Sequence, residues 1–208
     1  MLTDVISINA HSSIRIGAEK VMYFDPFHLK QDPHDADIVF LTHDHYDHLS
    51  PEDNARVKKE GTVFVLPASC KAAAEKNGLD RCVYLTPGET AEVCGVPVEA
   101  VAAYNNLKPF HPKKNGWLGY IVAAEGRRVY VAGDTDENKD NLSVRCDIAM
   151  IPVGGTYTFD AKHAAKFVNK LRPSVAIPTH YGDIVGSLSD ADAFAAAVDE
   201  GIEVVKKI

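Results

Sequence analysis

The sequence predicts an α/β chain of the α+β type: a four-layer αβ/βα sandwich in which two mixed sheets pack together and outer helices cover them. Three observations carry this expectation. Three strands open the chain too closely spaced for helices between them. Strand and helix then alternate, and the second half repeats the order, strands first and helices after. Two halves that each mix sheet and helix suit two packed sheets better than one doubly wound sheet. At 208 residues the chain can bury a substantial core and is expected to form one domain over residues 1–208.

Residues 4–9, 13–17 and 21–24 read as short strands of an antiparallel meander, with His11 in the first turn and Asp25-Pro26 ending the third strand. Residues 38–41, Ile-Val-Phe-Leu, form a buried strand. Ser50-Pro51-Glu52-Asp53 then starts a helix, with Ser as N-cap, Pro in the first turn and an acid at the third position. That helix is expected over 51–60, stopped by Gly61, followed by a buried strand at 63–66 and a helix at 70–77 closed by Gly78. Strands follow at 82–85, 91–93 and 96–102, with a turn at Pro87-Gly88. Residues 121–124 and 128–132 pair through a turn at Gly126-Arg127, and 146–152 is a further strand. A glycine-rich loop, Val153 to Tyr157, leads into a helix over 161–171 capped by Asp160; such a loop could hold an anion at the helix start. A strand from 175 ends at Thr179-His180, an amphipathic helix covers 191–200, and a strand over 202–206 closes the chain.

The net charge of -7 argues against a nucleic-acid groove, which needs a basic face. Cys70, Cys82, Cys94 and Cys146 form no C-x-x-C pair and read as single thiols of a reducing compartment, with a disulfide among them as the alternative. The first residues lack a basic, apolar leader and no run reaches membrane-spanning length, so a soluble cytoplasmic protein without a membrane partner is expected.

The chemistry is concentrated in Thr42-His43-Asp44-His45-Tyr46-Asp47-His48, the loop between the strand at 38–41 and the helix after it. His43 and His45, two apart on extended backbone, can point to one side. The turn that follows swings Asp47 and His48 to a neighbouring point, so two adjacent sub-sites result. Imidazole and carboxylate without thiolate suit zinc, with manganese or iron(II) as alternatives. A second feature is the strand ending in Gly133-Asp134-Thr135, where the Asp134 carboxylate could face two cations. His180 also stands where a buried strand stops. His28, His34 and His163 read as ordinary loop or surface histidines, and Trp117 as either pocket wall or half-buried cover.

The pattern His-x-His-x-Asp-His resembles the metallo-β-lactamase superfamily. Within it the chain is most similar to small stand-alone metal-dependent hydrolases related to L-ascorbate 6-phosphate lactonase and to N-acyl-phosphatidylethanolamine-hydrolysing phospholipase D. The resemblance covers nearly the whole chain and implies the same sandwich. It also implies a metal set of His43, His45, Asp47, His48, Asp134 and His180, with Asp134 bridging two ions, and it puts the segments of His11 and Asp25-Pro26 at the pocket rim. The chain departs from the family at Asn105, near which many relatives carry the third histidine of the first site. His111, between two prolines, is the neighbouring imidazole that could replace it, as ligand or as substrate contact. The expected reaction is hydrolysis by metal-activated hydroxide of an ester, lactone or phosphodiester in a small anionic substrate. Asp47 would orient the nucleophile and shuttle its proton, and Tyr181 or His111 would stabilise the oxyanion. An iron-dependent oxidoreductase of the same fold and a non-catalytic metal-binding module are the alternatives, and a homo-oligomer is compatible with all three.

Overall fold

The computed structural model describes residues 2–208. The first sheet has six strands in chain order: β1 (Ile6–Ile8), β2 (Ile14–Gly17), β3 (Val21–Phe24), β4 (Ala36–Phe40), β5 (Lys58–Pro67) and β6 (Cys82–Leu85). β1, β2 and β3 are antiparallel neighbours, the meander expected from their spacing, and β3 to β6 run parallel. The second sheet holds β7 (Thr90–Val93), β8 (Val96–Ala102), β9 (Leu118–Ala124), β10 (Arg127–Val131), β11 (Ile148–Pro152), β12 (Val175–Thr179) and β13 (Glu203–Val204), again neighbours in chain order. It is antiparallel as far as β10 and parallel beyond.

Period-two alternation in the buried strands makes the layers. Ile38 and Phe40 join Tyr120, Val129, Met150 and Ile177 in the core between the sheets. Val39 and Leu41, on the opposite face of β4, pack against α1 (Pro51–Val57) and α2 (Lys71–Lys76) through Val57, Cys70 and Ala74. Ala149, Ile151 and Ala176 likewise face α3 (Ala161–Leu171) and α4 (Leu188–Ala197). Such strands are buried on both faces, which is why they read as continuous apolar runs in the sequence.

Some boundaries differ from those expected. The first helix stops at Val57, because Lys58 pairs with Ala36 and begins β5, with a register shift before Ile38. The last helix begins three residues early, at Leu188: Ser187 and Asp190 form a capping box that the apolar pattern did not reveal. The terminal strand keeps only two residues. All four cysteines are free. Among the described residues no helix is long and apolar enough to cross a membrane.

Three hydrogen bonds tie the two sheets at the edge where β4, β8, β10 and β12 end. His180 N donates to His11 O (2.9 Å), Leu118 N to Thr42 O (3.1 Å) and the Tyr120 hydroxyl to Leu41 O (2.8 Å). Gly133, at φ +64°, follows β10 here; a Cβ on it would lie 2.9 Å from Leu118 O and 3.1 Å from the Thr42 Cβ. A side chain at that position would push the two sheets apart exactly where they must meet.

Candidate metal centre

Several separate strand ends deliver their side chains to this edge. The loop after β4 carries His43, His45, Asp47 and His48, β10 leads to Asp134, β12 to His180, and the β1–β2 turn supplies His11. Three groups result in which every donor atom lies within 4.8 Å of the others: His11, Asp47, His48 and His180; His43, His45 and His111; and His43, His48 and Asp134. The six residues named by the resemblance are thus brought together, and two further histidines join them.

Asp134 stands between the groups. Its Oδ2 is 3.1 Å from His180 Nε2 and 3.3 Å from His111 Nε2, and its Oδ1 is 3.5 Å from His48 Nε2. Asp47 Oδ2 is 3.4 Å from His11 Nε2 and 3.6 Å from His48 Nε2. His43 Nε2 and His45 Nδ1 are 3.0 Å apart, within hydrogen-bond distance.

The outer ring nitrogens are held by a buried relay. Asp25 accepts from the Thr42 amide (2.8 Å) and hydroxyl (2.7 Å), and lies 2.7 Å from His48 Nδ1. The Thr42 hydroxyl, donating to Asp25, accepts from His43 Nδ1 (2.9 Å). His48 and His43 therefore both present Nε2 to the site, the tautomer that a ligand histidine needs. Asp25 marks only the end of β3 in the sequence, and nothing there reveals this contact.

Asn105 is buried beside His111, with its amide oxygen unpartnered. Its amide nitrogen donates to Phe110 O (2.8 Å) and Tyr157 O (2.7 Å), and its backbone N–H to His111 O (2.9 Å). It braces the loop that brings His111 in, and His111 Nδ1 in turn meets Tyr157 O at 3.2 Å. His11, left open between loop residue and pocket rim, is fully buried, with its ring 3.8 Å from that of His180. Trp117 backs the first group, its ring 4.7 to 5.4 Å from those of His43, His45 and His111. Backbone strain gathers here too, since His11, Asp25, His111 and His180 all have positive φ.

Two expectations find no place in this geometry. Tyr181 is buried in the core beneath α3 and α4 and does not line the cleft, so the oxyanion role passes from it. The glycine loop spends its amides internally, Gly155 N on Phe159 O and Thr156 N on Gly154 O. Gly154 is instead required for close approach: a Cβ there would stand 2.2 Å from His180 O. His163 and His34 are exposed, and His28 meets Asp183 at the surface.

Electrostatics prepare the donors. Burial pushes the pKa of His43 well below the ordinary value, with the neighbouring His48 charge adding to it, and burial also lowers His11 and His111. Burial opposes the charge on His48, but Asp134, Asp25 and Asp47 outweigh it and raise the group to about 9. Burial likewise opposes ionisation of Asp47, yet the His11 ring 3.4 Å away and the His48 charge bring it down to about 2. Asp134 is held far below the carboxylate range against its burial, chiefly by His180 and His48.

The buried donors fit a cation on direct grounds. Both ring nitrogens of His11 and His180, Nε2 of His48 and His111, and Oδ1 of Asp134 are buried without a hydrogen-bond partner. At about 1–3 kcal/mol for each buried, unsatisfied polar atom, such a cluster would cost on the order of 10 kcal/mol, comparable with the whole stability of a domain. Divalent cations drawn to one nitrogen of each ring and to the carboxylate would remove much of that cost.

The comparisons agree with this geometry. A family model described as the β-lactamase superfamily domain matches residues 5–181. A UPF0173 metal-dependent hydrolase of Methanopyrus kandleri is 31% identical over 180 residues, covering 82% of this chain and 77% of the relative. One of Thermoplasma acidophilum is 29% identical over 204 residues, covering 90% and 88%. The crystal structure of a putative metal-dependent hydrolase from Parabacteroides distasonis superposes with a TM-score of 0.81 at 29% identity, covering 97% of this chain and 91% of that one. The chain therefore belongs to the β-lactamase superfamily, with the metallo-β-lactamase fold, and within it to the UPF0173 metal-dependent hydrolases.

Proposed function

We propose that the chain hydrolyses an ester or lactone bond of a small molecule with two divalent cations, zinc first and manganese or iron as alternatives. His43, His45, His111 and Asp134 would hold one ion, and Asp47, His48, His180 and Asp134, with His11 beside them, the other. The observation that carries the reading is that seven buried imidazole and carboxylate atoms without partners, from His11, His48, His111, Asp134 and His180, gather at one strand-end edge. When bound, cations in such a cage lower the pKa of a water from about 15.7 toward about 7 and stabilise negative charge developing on the electrophile's oxygen.

The chain's own residues do the rest. Asp47 is partly exposed on the cleft side and ionised, so it can take the proton of the attacking water and return it to the leaving oxygen. Asp25 and Thr42 fix the rings of His48 and His43, and Asn105 fixes His111, so the cage is formed before substrate arrives. His111, facing Asp134, serves better as a ligand than as an oxyanion donor. No lysine or arginine is among the residues lining the cleft, so the lining itself does not favour an anionic substrate. Four free thiols suit a reducing compartment and support a cytoplasmic setting. No observation favours the oxidoreductase or the non-catalytic module.

Elemental analysis of the purified chain, with a screen of lactones, esters and phosphodiesters, tests the proposal. Two equivalents of metal and ester or lactone hydrolysis that disappears in Asp47→Ala are expected; a metal-loaded chain that hydrolyses no ester or lactone, or only phosphodiesters, would overturn it.

A further inference from the structure

The cleft above the metal centre has a volume of about 360 Å³. Apart from the ligand candidates, its lining consists of Tyr46, Phe110, Tyr157, Ile184 and Val185. All five are aromatic or aliphatic. Tyr46 (70% exposed), Phe110 (45%) and Ile184 (37%) leave large apolar surface open at the mouth. Phe110 and Tyr157 meet edge to face at 4.8 Å, which gives this side of the cleft a rigid aromatic wall.

Lys108 and Lys113, which flank His111 in the chain, are engaged elsewhere. Lys108 reaches Asp136 and the carbonyls of Gly155 and Thr158, facing a different cavity, and Lys113 is paired with Asp140. A phosphate or carboxylate on the substrate's far end would leave water and meet hydrocarbon, ring faces and at most the hydroxyls of Tyr46 and Tyr157, with no ammonium or guanidinium to offset its desolvation. An apolar group there would gain from burial.

We infer that the substrate is an uncharged ester or lactone whose acyl portion carries an apolar chain or ring, held by Phe110, Tyr157, Ile184 and Val185 while its carbonyl sits over the metal centre. Hydrolysis of such a molecule adds water across the acyl C–O bond: oxygen bonds to the carbonyl carbon, the bond to the leaving oxygen breaks, and a proton moves to that oxygen. No oxidant or co-reactant is needed. The inference rests on the proposed hydrolase reading and specifies its substrate class.

The test uses the full-length, metal-loaded chain and linear alkyl hydroxamic acids, which chelate metal and stand in for the acyl carbonyl. Trp117, the one tryptophan, lies against His43, His45 and His111 and reports binding by fluorescence without turnover. Affinity should rise about threefold to fourfold per added methylene, the factor given by burial of one CH₂, until the cleft is full. A hydroxamate of equal length ending in carboxylate should bind more weakly than its methyl-ended partner. Ile184→Asp, on an exposed loop, should flatten the chain-length dependence with metal content unchanged; Phe110→Ala is the second variant should the first misfold. The same trend should appear in kcat/KM for acyl esters of increasing length. A flat dependence, or tighter binding of the carboxylate-ended compound, overturns the apolar substrate alone. Failure to take up metal or to hydrolyse any ester removes the hydrolase reading and this inference with it.

Discussion

Asp25 Oδ2 lies 2.7 Å from His48 Nδ1, both residues are buried, and the same carboxylate takes two hydrogen bonds from Thr42. One carboxylate at the end of β3 thereby sets the ring orientation of two candidate ligands in the next loop. Asp25→Asn is expected to weaken metal affinity about 10–100-fold, the usual cost of losing such a partner, while the Thr42 amide contact can survive. A competition titration against a chelating dye measures it; unchanged affinity would show that the relay is only structural.

His111→Ala should reduce the metal content from two equivalents to one, because it removes one of three imidazoles that share a point with His43 and His45. Asn105→Ala should produce a milder version of the same loss by freeing the loop. Elemental analysis after extensive dialysis separates the two; a full complement of metal in His111→Ala would return His111 to the role of substrate contact.

Metal removal should destabilise the fold. A ligand at 100 times its Kd stabilises by about 2.7 kcal/mol, and a chain of this size shifts by about 2–4 °C per kcal/mol, so chelation should lower Tm by roughly 5–11 °C. Thermal melts with and without chelator read this directly. An unchanged Tm would mean that the buried donors find other partners.

Above about pH 6.5 the dependence on pH has opposite signs for metal affinity and for the His48 contribution to metal-free stability. His48, raised to about 9, is protonated at neutral pH without metal, so binding must release its proton; affinity should climb by up to about tenfold per pH unit toward 9. In the metal-free chain the raised pKa gives stability that is complete below the unfolded value near 6.5 and is lost as pH rises through 9. The lowered values of His11, His43 and His111 act in reverse: their stability is present above about 6.5 and is lost as pH falls toward their folded values. Metal-free Tm should therefore peak near neutrality. Calorimetric titrations in buffers of different ionisation enthalpy should count about one proton released at pH 7.

Gly154→Ala should disturb His180 more than the first metal group, since the added Cβ would stand 2.2 Å from the His180 carbonyl. Relieving that overlap is expected to cost about 1–3 kcal/mol and to weaken the ion held by His180 selectively. Tm together with metal stoichiometry checks it: a stable variant with full metal content would mean that the loop yields without moving His180.

The layers and most of the candidate donors that the fold gathers at one edge were legible in the chain itself. Strands buried on both faces must be apolar throughout, so 38–41, 148–152 and 175–179 stand out, and a cluster such as His43-x-His45-x-Asp47-His48 has no reason to exist in a core. Local turn chemistry fixed the starts of α1 and α3, through Ser50 and Asp160. Tertiary structure alone decided the rest. Whether His11 and His111 reach the metal centre depends on a cross-sheet bond from His180 to His11 and on Asn105 bracing a loop, contacts between residues far apart in the chain. Tyr181, next in sequence to His180, turns into the core, because His180 stands past the end of β12 with a positive φ that redirects the chain. Sequence determines which groups can bind a cation; only packing determines which of them point at the same one.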